Sequence, residues 1–145
     1  MRKIIILFIL AIIVVTIVAF NYMGYMADYN NIQKYNIEFE ENFQKEIYGT
    51  DLTTIINRVI NNNEKNNVEI GQDKKYINNG KDSINIDIKM TDIDAVFTME
   101  TIYNGDGGME EFVQHYSNIQ FKCTEIQYHE QTGKVSYLFF EQIYK

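Results

Sequence analysis

Proline and tryptophan are absent from this chain of 145 residues, and cysteine and histidine are scarce. The single cysteine, Cys123, excludes an intramolecular disulfide, and we expect it to be buried rather than to link two chains covalently. The two histidines, His115 and His129, stand eight and six residues from Cys123. Because these spacings match no common zinc-ligand pattern, we predict no zinc site and treat both histidines as surface or edge residues.

Positive charge is also scarce, which bears on the partners that the chain can bind. The sequence has 13 basic and 20 acidic residues and a net charge of −7. Without Arg2 and Lys3 the remainder carries 11 basic and 20 acidic residues, a net charge of −9. Such a surface repels phosphate backbones and anionic lipid headgroups, so we expect no nucleic-acid partner.

Catalytic and metal-binding motifs are lacking as well. The chain contains no G-x-S-x-G, no S-x-x-K and no cysteine–histidine pair with recognisable flanking residues. Two acidic loops, Asp92–Asp94 and Asn104–Glu110, supply the oxygen ligands that calcium prefers, but neither fits the EF-hand pattern. We interpret the glycine-rich second loop as a strand-to-helix turn, and Glu38, Glu40 and Glu41 as a solvated helix face. The sequence therefore predicts no enzyme, no cofactor and no metal site.

What the chain does have is one long apolar run, Ile4–Phe20, directly behind Arg2 and Lys3. Of its 17 residues, 14 are Ile, Leu, Val or Phe, and none is charged. As a helix it spans about 26 Å, and extension through Met26 brings it close to the ~30 Å thickness of a bilayer core. Its apolar side chains favour insertion by at most roughly 4–8 kcal/mol.

We therefore predict a transmembrane anchor over residues 1–26, in contact with lipid through Ile4–Phe20, and a single extracytoplasmic domain over residues 27–145. Arg2 and Lys3 precede the run, while the first charge after it belongs to Asp28. The positive-inside rule then places the N-terminus in the cytoplasm and the domain outside the cell membrane.

Two alternatives to a permanent anchor are a cleaved signal peptide and a buried core helix. A signal peptide ends in a small-x-small cleavage site, but the best site here, after Ala19, has the bulky Ile17 at the −3 position. A buried core helix is disfavoured because a small domain does not need a helix that is apolar on every side. A lipid-modified N-terminus is not expected, because the single cysteine, Cys123, lies far beyond the run.

Beyond the run, the hydrophobic period predicts an α+β fold. A helical stripe continues the first helix to Ile47, and Leu52–Ile60 form a second helix that begins at Thr50 or Asp51 and frays at Asn61–Asn63. A further short helix follows the glycine-rich loop.

Alternating apolar residues predict strands over residues 68–70, 84–90, 95–103, 121–129 and 134–143. We expect a long N-terminal helix, transmembrane and then amphipathic, packed on an antiparallel sheet of four to five strands with two short helices. The last strand is apolar on both faces, which places it at the centre.

The order of these parts resembles that of type IV pilins and pseudopilins, in which an apolar N-terminal helix runs into an amphipathic half packed on an antiparallel sheet. The resemblance implies a filament subunit that assembles through its N-terminal helices. The prepilin motif is absent, since Arg2 and Lys3 precede the run in place of a leader ending in glycine, and no glutamate occurs before Glu38.

Separately, several stretches look like uncharacterised small membrane-anchored proteins of low-GC Firmicutes and Mollicutes-like bacteria. These stretches are Asn36–Asn63 with its Tyr48-Gly49-Thr50-Asp51 turn, Met99–Tyr103, Phe121–Glu125 and Thr132–Val135. The likeness covers most of the chain and implies no known activity and no site residues.

These observations predict a single-pass, membrane-anchored protein whose extracytoplasmic domain contacts another protein of the cell envelope and has no enzymatic activity. The first alternative is a pilin-like filament subunit. The second is an anchored enzyme or ligand receptor that uses the two acidic loops. The sequence leaves the identity of the partner and the oligomeric state open.

Overall fold

The computed structural model describes residues 2–143 and confirms the α+β class. The chain divides into two compact units, one ending at Lys34 and the other beginning at Tyr35. Nine elements follow one another: α1 (Arg2–Glu40), β1 (Glu46–Tyr48), α2 (Gly49–Lys65), β2 (Asn85–Met90), β3 (Ala95–Thr98), α3 (Met99–Asn104), α4 (Gly108–Tyr116), β4 (Gln120–Tyr128) and β5 (Val135–Gln142).

The first unit is the N-terminal part of α1. Its residues from Arg2 to Asn31 are all exposed, and α1 is long and apolar enough to cross a membrane. A helix that is apolar on every side has no polar face to present to water. The disfavoured alternative of a buried core helix gains no support, because the apolar side chains of this part of the chain are exposed.

The second unit is built on a five-stranded sheet with the strand order β1-β4-β5-β2-β3. The expected central position of the last strand is confirmed, since β5 has two strands on each side. Three strand pairs are antiparallel, but β2 and β5 are parallel, so the expectation of an antiparallel sheet is wrong for this pair. Parallel neighbours need a long crossover, and the chain from β2 to β5 supplies one. Residue patterns report which strands are buried but not in which direction they run.

The core lies on one face of the sheet, where α2 and the end of α1 pack with α3 and α4. The strands contribute Ile86, Ile88 and Phe140, and the helices contribute Leu52 and Ile56, all with at most 1% of their surface exposed. Alternate strand residues point to the opposite face, as the period of two requires. The sheet therefore has one packed face and one face without a helix over it.

The end of α1 differs from the sequence prediction. The helix stops at Glu40, and Ile47, expected in the helix, lies in the edge strand β1. Gln44 turns the chain with a φ of 62°, and its N–H donates to the carbonyl oxygen of Cys123 at 3.0 Å. The hydrogen bonds that this segment makes with the edge of β4 thus favour a strand over a continued helix. Of the predicted stripe within α1, Phe39 and the neighbouring Asn36 are buried.

The asparagine run also differs from its prediction as a frayed loop, because α2 continues through it to Lys65. Asn63 is fully buried. Its side-chain amide donates to the carbonyl oxygen of Ile84 at 2.7 Å, and its amide oxygen accepts from the N–H of Ile84 at 2.9 Å. Asn63 thus fixes the start of β2 to α2. The helix begins at Gly49, where a Cβ would lie 2.0 Å from the carbonyl oxygen of Tyr116, so only glycine fits.

Two predicted strands are shorter than expected. Residues 95–103 form β3 only as far as Thr98, after which the chain becomes α3. Thr98 accepts a hydrogen bond at its Oγ1 from the N–H of Thr101 at 3.3 Å, which starts the helix in the manner of an N-cap. The strand expected at residues 68–70 is reduced to one bridge between Ile70 and Tyr76.

Candidate functional site

An apolar groove of about 220 Å³ lies where the chain passes from β3 through α3 to α4. We call it the α3–α4 groove. Phe97, Ile102 and Phe112 form its apolar floor, and Asp106 and Glu111 stand on its rim. The groove is lined further by Met90, Thr101, Gly105, Gly108, His115 and Tyr116. An apolar concavity with few polar groups around it is the usual form of a binding site.

The glycine-rich loop shapes this groove. Gly107 and Gly108 have φ angles of 79° and 55°, in the left-handed region that glycine adopts without strain. A Cβ on Gly107 would lie 2.8 Å from the Cβ of Glu111, and one on Gly105 would lie 2.6 Å from the carbonyl oxygen of Thr101. The loop can therefore bring Asp106 over the floor only because these positions carry no side chain. The interpretation as a strand-to-helix turn is right for the helix that follows, α4, and wrong for the element that precedes the loop, which is the helix α3 rather than a strand. Gly107 is the N-cap of α4.

The electrostatic character of the groove is acidic. Asp106 and Glu111 are both exposed, and the only cation-forming residue in the lining is His115. The Nε2 atom of His115 lies 3.9 Å from Oε1 of Glu111. Burial, followed by the negative charge of Asp92, raises the pKa of Tyr116. Negative charge thus surrounds an apolar floor, an arrangement that suits a ligand combining an apolar group with a cation.

The polar residues of the Asn104–Glu110 loop do not line one common cavity. Asp106 lines the groove, whereas Asn104 lines a neighbouring polar cavity of about 270 Å³ and Glu110 lies on a separate shallow surface with Met109. Within residues 2–143, no group of three or more His, Cys, Asp or Glu side chains is placed to hold a metal ion. Calcium binding through these loops therefore gains no support from their geometry.

Of the three residues considered for zinc, His115 lines the groove, whereas Cys123 and His129 do not. Cys123 is fully buried, as expected, and burial raises the pKa of its thiol to about 11. His115 is exposed, as expected. The prediction that His129 is a surface or edge residue is wrong. Its side chain is buried, with only 5% of the residue's surface exposed, and its Nε2 lies 2.7 Å from the carbonyl oxygen of Ser83. That contact joins the end of β4 to the start of β2.

The expected solvated helix face is found for Glu38 and Glu40 at the end of α1, whereas Glu41 lies beyond the helix and lines a cavity of about 200 Å³ with Arg58. Glu38 lies 3.4 Å from Arg58, and Glu40 accepts a hydrogen bond from the hydroxyl of Tyr128 at 2.9 Å. Glu41 is exposed. These contacts join α1 to its neighbours and form no enclosed site.

A second cavity, of about 350 Å³, was not foreseen from the sequence. It lies between the loop around Lys75 and the sheet. Tyr137 donates a hydrogen bond to Oδ2 of Asp87 at 3.0 Å, and burial, followed by the charge of Asp87, raises the pKa of Tyr137. Glu100 is buried and accepts from the N–H of Tyr76 at 3.0 Å. Both carboxylates form hydrogen bonds with neighbouring residues of the fold. We therefore interpret this cavity as a structural feature and not as a binding site.

In comparisons with known proteins, no protein-family model, no curated protein and no solved structure matches this chain. Its function must therefore be argued from its own residues.

The sequence did not reveal the α3–α4 groove, because each residue of its floor fits an ordinary core pattern. Phe97 lies directly before the change from β3 to α3 at Thr98–Met99, and Ile102 lies within α3. The two side chains line one groove only because residues 99–104 form a helix. The one available signal was Thr98 followed three residues later by Thr101, a spacing that suits a helix start.

Proposed function

We propose that this protein is a single-pass membrane protein whose N-terminus lies in the cytoplasm and whose folded unit, from Tyr35 onward, lies outside and binds another protein of the cell envelope. The observation that carries the anchor is the exposure of α1 from Arg2 to Asn31 together with its apolar composition. Lipid is the surrounding that satisfies such a helix, because all its backbone hydrogen bonds are internal.

The α3–α4 groove is the surface that supports the binding role. Its floor of Phe97, Ile102 and Phe112 takes an apolar side chain, while Asp106 and Glu111 attract positive charge. The partner segment that fits it presents an apolar residue beside a lysine or arginine. Complementary charge of this kind sets specificity and the association rate more than the affinity. The proposed role of the groove is therefore recognition of such a segment.

The topology can be tested by labelling intact cells with a membrane-impermeant maleimide. Cys123 is fully buried, so the unaltered chain serves as the unlabelled control. Gln131→Cys places a thiol on an exposed turn of the folded unit, and a cysteine inserted before Arg2 reports the opposite side. We expect labelling of Gln131→Cys alone. Labelling of only the N-terminal cysteine would show that the proposed orientation is wrong.

The intact mass of the recovered protein separates the alternatives to an anchor. Full-length protein confined to the membrane pellet supports the proposal. A mass short of the first residues, found in sheared surface material, would indicate a pilin-like subunit. Loss of the whole run Ile4–Phe20 would indicate a secreted protein and would refute the anchor.

The groove can be tested with two small probes that share a phenyl ring and differ in charge, 2-phenylethylamine and phenylacetate. We expect the amine to shift the NMR signals of Phe97, Ile102 and Phe112 in the full chain in detergent micelles. Glu111→Gln weakens this binding by about two- to fivefold, as expected for loss of one exposed charge. Glu110→Gln, on the same helix but outside the groove, is the matched control. Equal binding of both probes would refute the charge argument, and no shift would refute the groove.

A further inference from the structure

Four charged residues form one row across the face of the sheet that carries no helix. The loop around Lys75 lies against the same face farther along β2, at Asn85 and Asp87. Glu46 of β1 is paired with Lys122 of β4, Lys122 with Glu141 of β5, and Glu141 with Lys89 of β2. Directly paired residues project from the same face, with Cβ atoms about 4.5–5.5 Å apart. The row therefore reads negative, positive, negative, positive across four adjacent strands. We call it the charge row.

The charge row lies on the face opposite to the helices. The sequence neighbours of its members are core residues: Ile47 beside Glu46, Phe121 and Cys123 on either side of Lys122, and Phe140 beside Glu141. Because successive strand residues point to opposite faces, the charged side chains point away from the core. Glu46 is exposed, and the other three are partly exposed. The row is thus available to a partner that approaches the open face.

We propose that this face docks on the same face of a second copy of the chain, related by a two-fold axis that runs parallel to the strands. Such an axis reverses the order of the strands in the partner, so that β1 faces β2 and β4 faces β5. Glu46 then meets Lys89 of the other copy, and Lys122 meets Glu141. Every charge in the row faces an opposite charge, and each contact occurs twice. A two-fold axis along the row would instead place each charged residue over the same residue of the second copy, so that like charges would meet.

The neighbouring row agrees with the same arrangement. It contains Glu125, Phe139 and Asp87, which are paired across β4, β5 and β2. Reversal of the strands places Glu125 over Phe139 and introduces no contact between like charges at the centre. Phe139 adds apolar area close to the axis. A surface that is complementary to itself in this way is the requirement for an isologous interface.

The balance of charge favours a second copy over a foreign partner of one sign. The chain beyond Lys3 carries a net charge of −9, which makes two copies repel over most of their surface. The charge row is neutral in sum, so it is a place where two copies can approach without that repulsion. A strongly basic or strongly acidic partner would meet an unfavourable charge at every second position of the row.

The proposal can be tested by charge exchange in two differently tagged full-length chains, solubilised in detergent and measured by co-purification. We expect the unaltered chains to co-purify. Lys122→Glu paired with itself, or Glu141→Lys paired with itself, brings like charges together twice, and co-purification should fall by about tenfold or more. A mixture of Lys122→Glu with Glu141→Lys restores the complementary pairs and should restore co-purification. The double variant, paired with itself, should also recover.

The recovery in the mixture also shows that both single variants fold, because neither could restore an interface in an unfolded chain. Absence of co-purification by the unaltered chains would overturn the proposal. Equal co-purification of all combinations would overturn it as well, since the copies would then meet through another surface such as α1. Loss in both single variants without recovery in the mixture would show that the two residues do not face each other. None of these outcomes depends on the α3–α4 groove.

Discussion

Two stretches of this chain are rich in isoleucine and have opposite surroundings. The run Ile4–Phe20 is exposed along its whole length, whereas Ile84, Ile86 and Ile88 have at most 1% of their surface exposed. The difference lies in the residues between the isoleucines. In and directly before β2, the polar residues Asn85 and Lys89 alternate with the isoleucines. This alternation gives the strand one apolar face, which is buried in the core that α2 shares.

The N-terminal run has no polar residue at alternate or helical spacing, so no single neighbour can cover it. A helix that is apolar all round needs an apolar medium or several packed neighbours. The comparison teaches that composition alone does not decide burial within a fold. The arrangement of polar residues decides whether an apolar segment packs on the chain itself or requires something outside it.

The largest expected effect is the loss of membrane insertion when charges are placed in the N-terminal run. Ile12→Asp combined with Val15→Asp makes insertion less favourable by roughly 6–8 kcal/mol, because each aspartate costs about 3 kcal/mol at the helix centre. We expect the protein to leave the membrane fraction on alkaline extraction. Ile37→Asp, at an exposed position of α1 beyond the run, is the control and should remain. Retention of the double variant would contradict membrane insertion of the run.

The next largest effect is a loss of stability when a buried isoleucine of β2 is shortened. Ile86→Ala removes buried methyl groups from β2 and should lower the free energy of unfolding of the second unit by about 2–5 kcal/mol. Ile12→Ala makes the same chemical change in the exposed run and should leave that unfolding transition unchanged. Tyrosine fluorescence during urea unfolding measures both, since the chain has no tryptophan. A similar loss in the two variants would mean that the run belongs to the folded core.

A smaller effect distinguishes residues within the asparagine run. Asn63→Ala leaves the backbone groups of Ile84 without their partners at the start of β2, and we expect a loss of about 1–3 kcal/mol. Asn61→Ala, at an exposed position of the same helix, should change stability by less than about 0.5 kcal/mol. Urea unfolding of the two variants checks this difference. Equal stability would show that water replaces the side chain of Asn63.

The smallest effect is a dependence on alkaline pH. Burial raises the pKa of Tyr35 to about 12 and that of Cys123 to about 11. The folded state therefore holds these protons more tightly than the unfolded state, and stability falls as pH rises above about 9 and through the folded pKa values. Tyr35→Phe should flatten this fall between about pH 10 and 12. A stability that stays constant from pH 8 to 11.5 would contradict the raised values.

The elements that the sequence predicted well are those with an unbroken period. Ile84–Met90 alternate without exception and form β2, and Leu52–Ile60 follow helical spacing and form the core face of α2. The last two strands are also within one residue of their predicted bounds, and Gly133 turns the chain between them with a φ of 68°. In these segments local pattern and tertiary packing agree, so the pattern was sufficient.

The failures occur where a distant partner decides the local structure. Ile47 fits a helical stripe, but the open edge of β4 pairs with this segment and makes it a strand. Asn63 is polar and suggests a loop, but Ile84, 21 residues away, satisfies its amide inside the core. The α3–α4 groove depends on the conversion of residues 99–104 to a helix, which no short apolar pattern distinguishes from a strand. The charge row likewise requires the register between strands, which no local pattern reports.

The central strand β5 joins two parts of the sheet that share no other strand pairing. Without β5, β4 pairs only with β1 and β2 pairs only with β3, so the sheet would exist as two separate fragments. The contacts of β5 join residues that are far apart in the chain, and contacts of this kind slow folding. We therefore expect the second unit to fold in one cooperative step, in which neither half of the sheet is stable until β5 is in place.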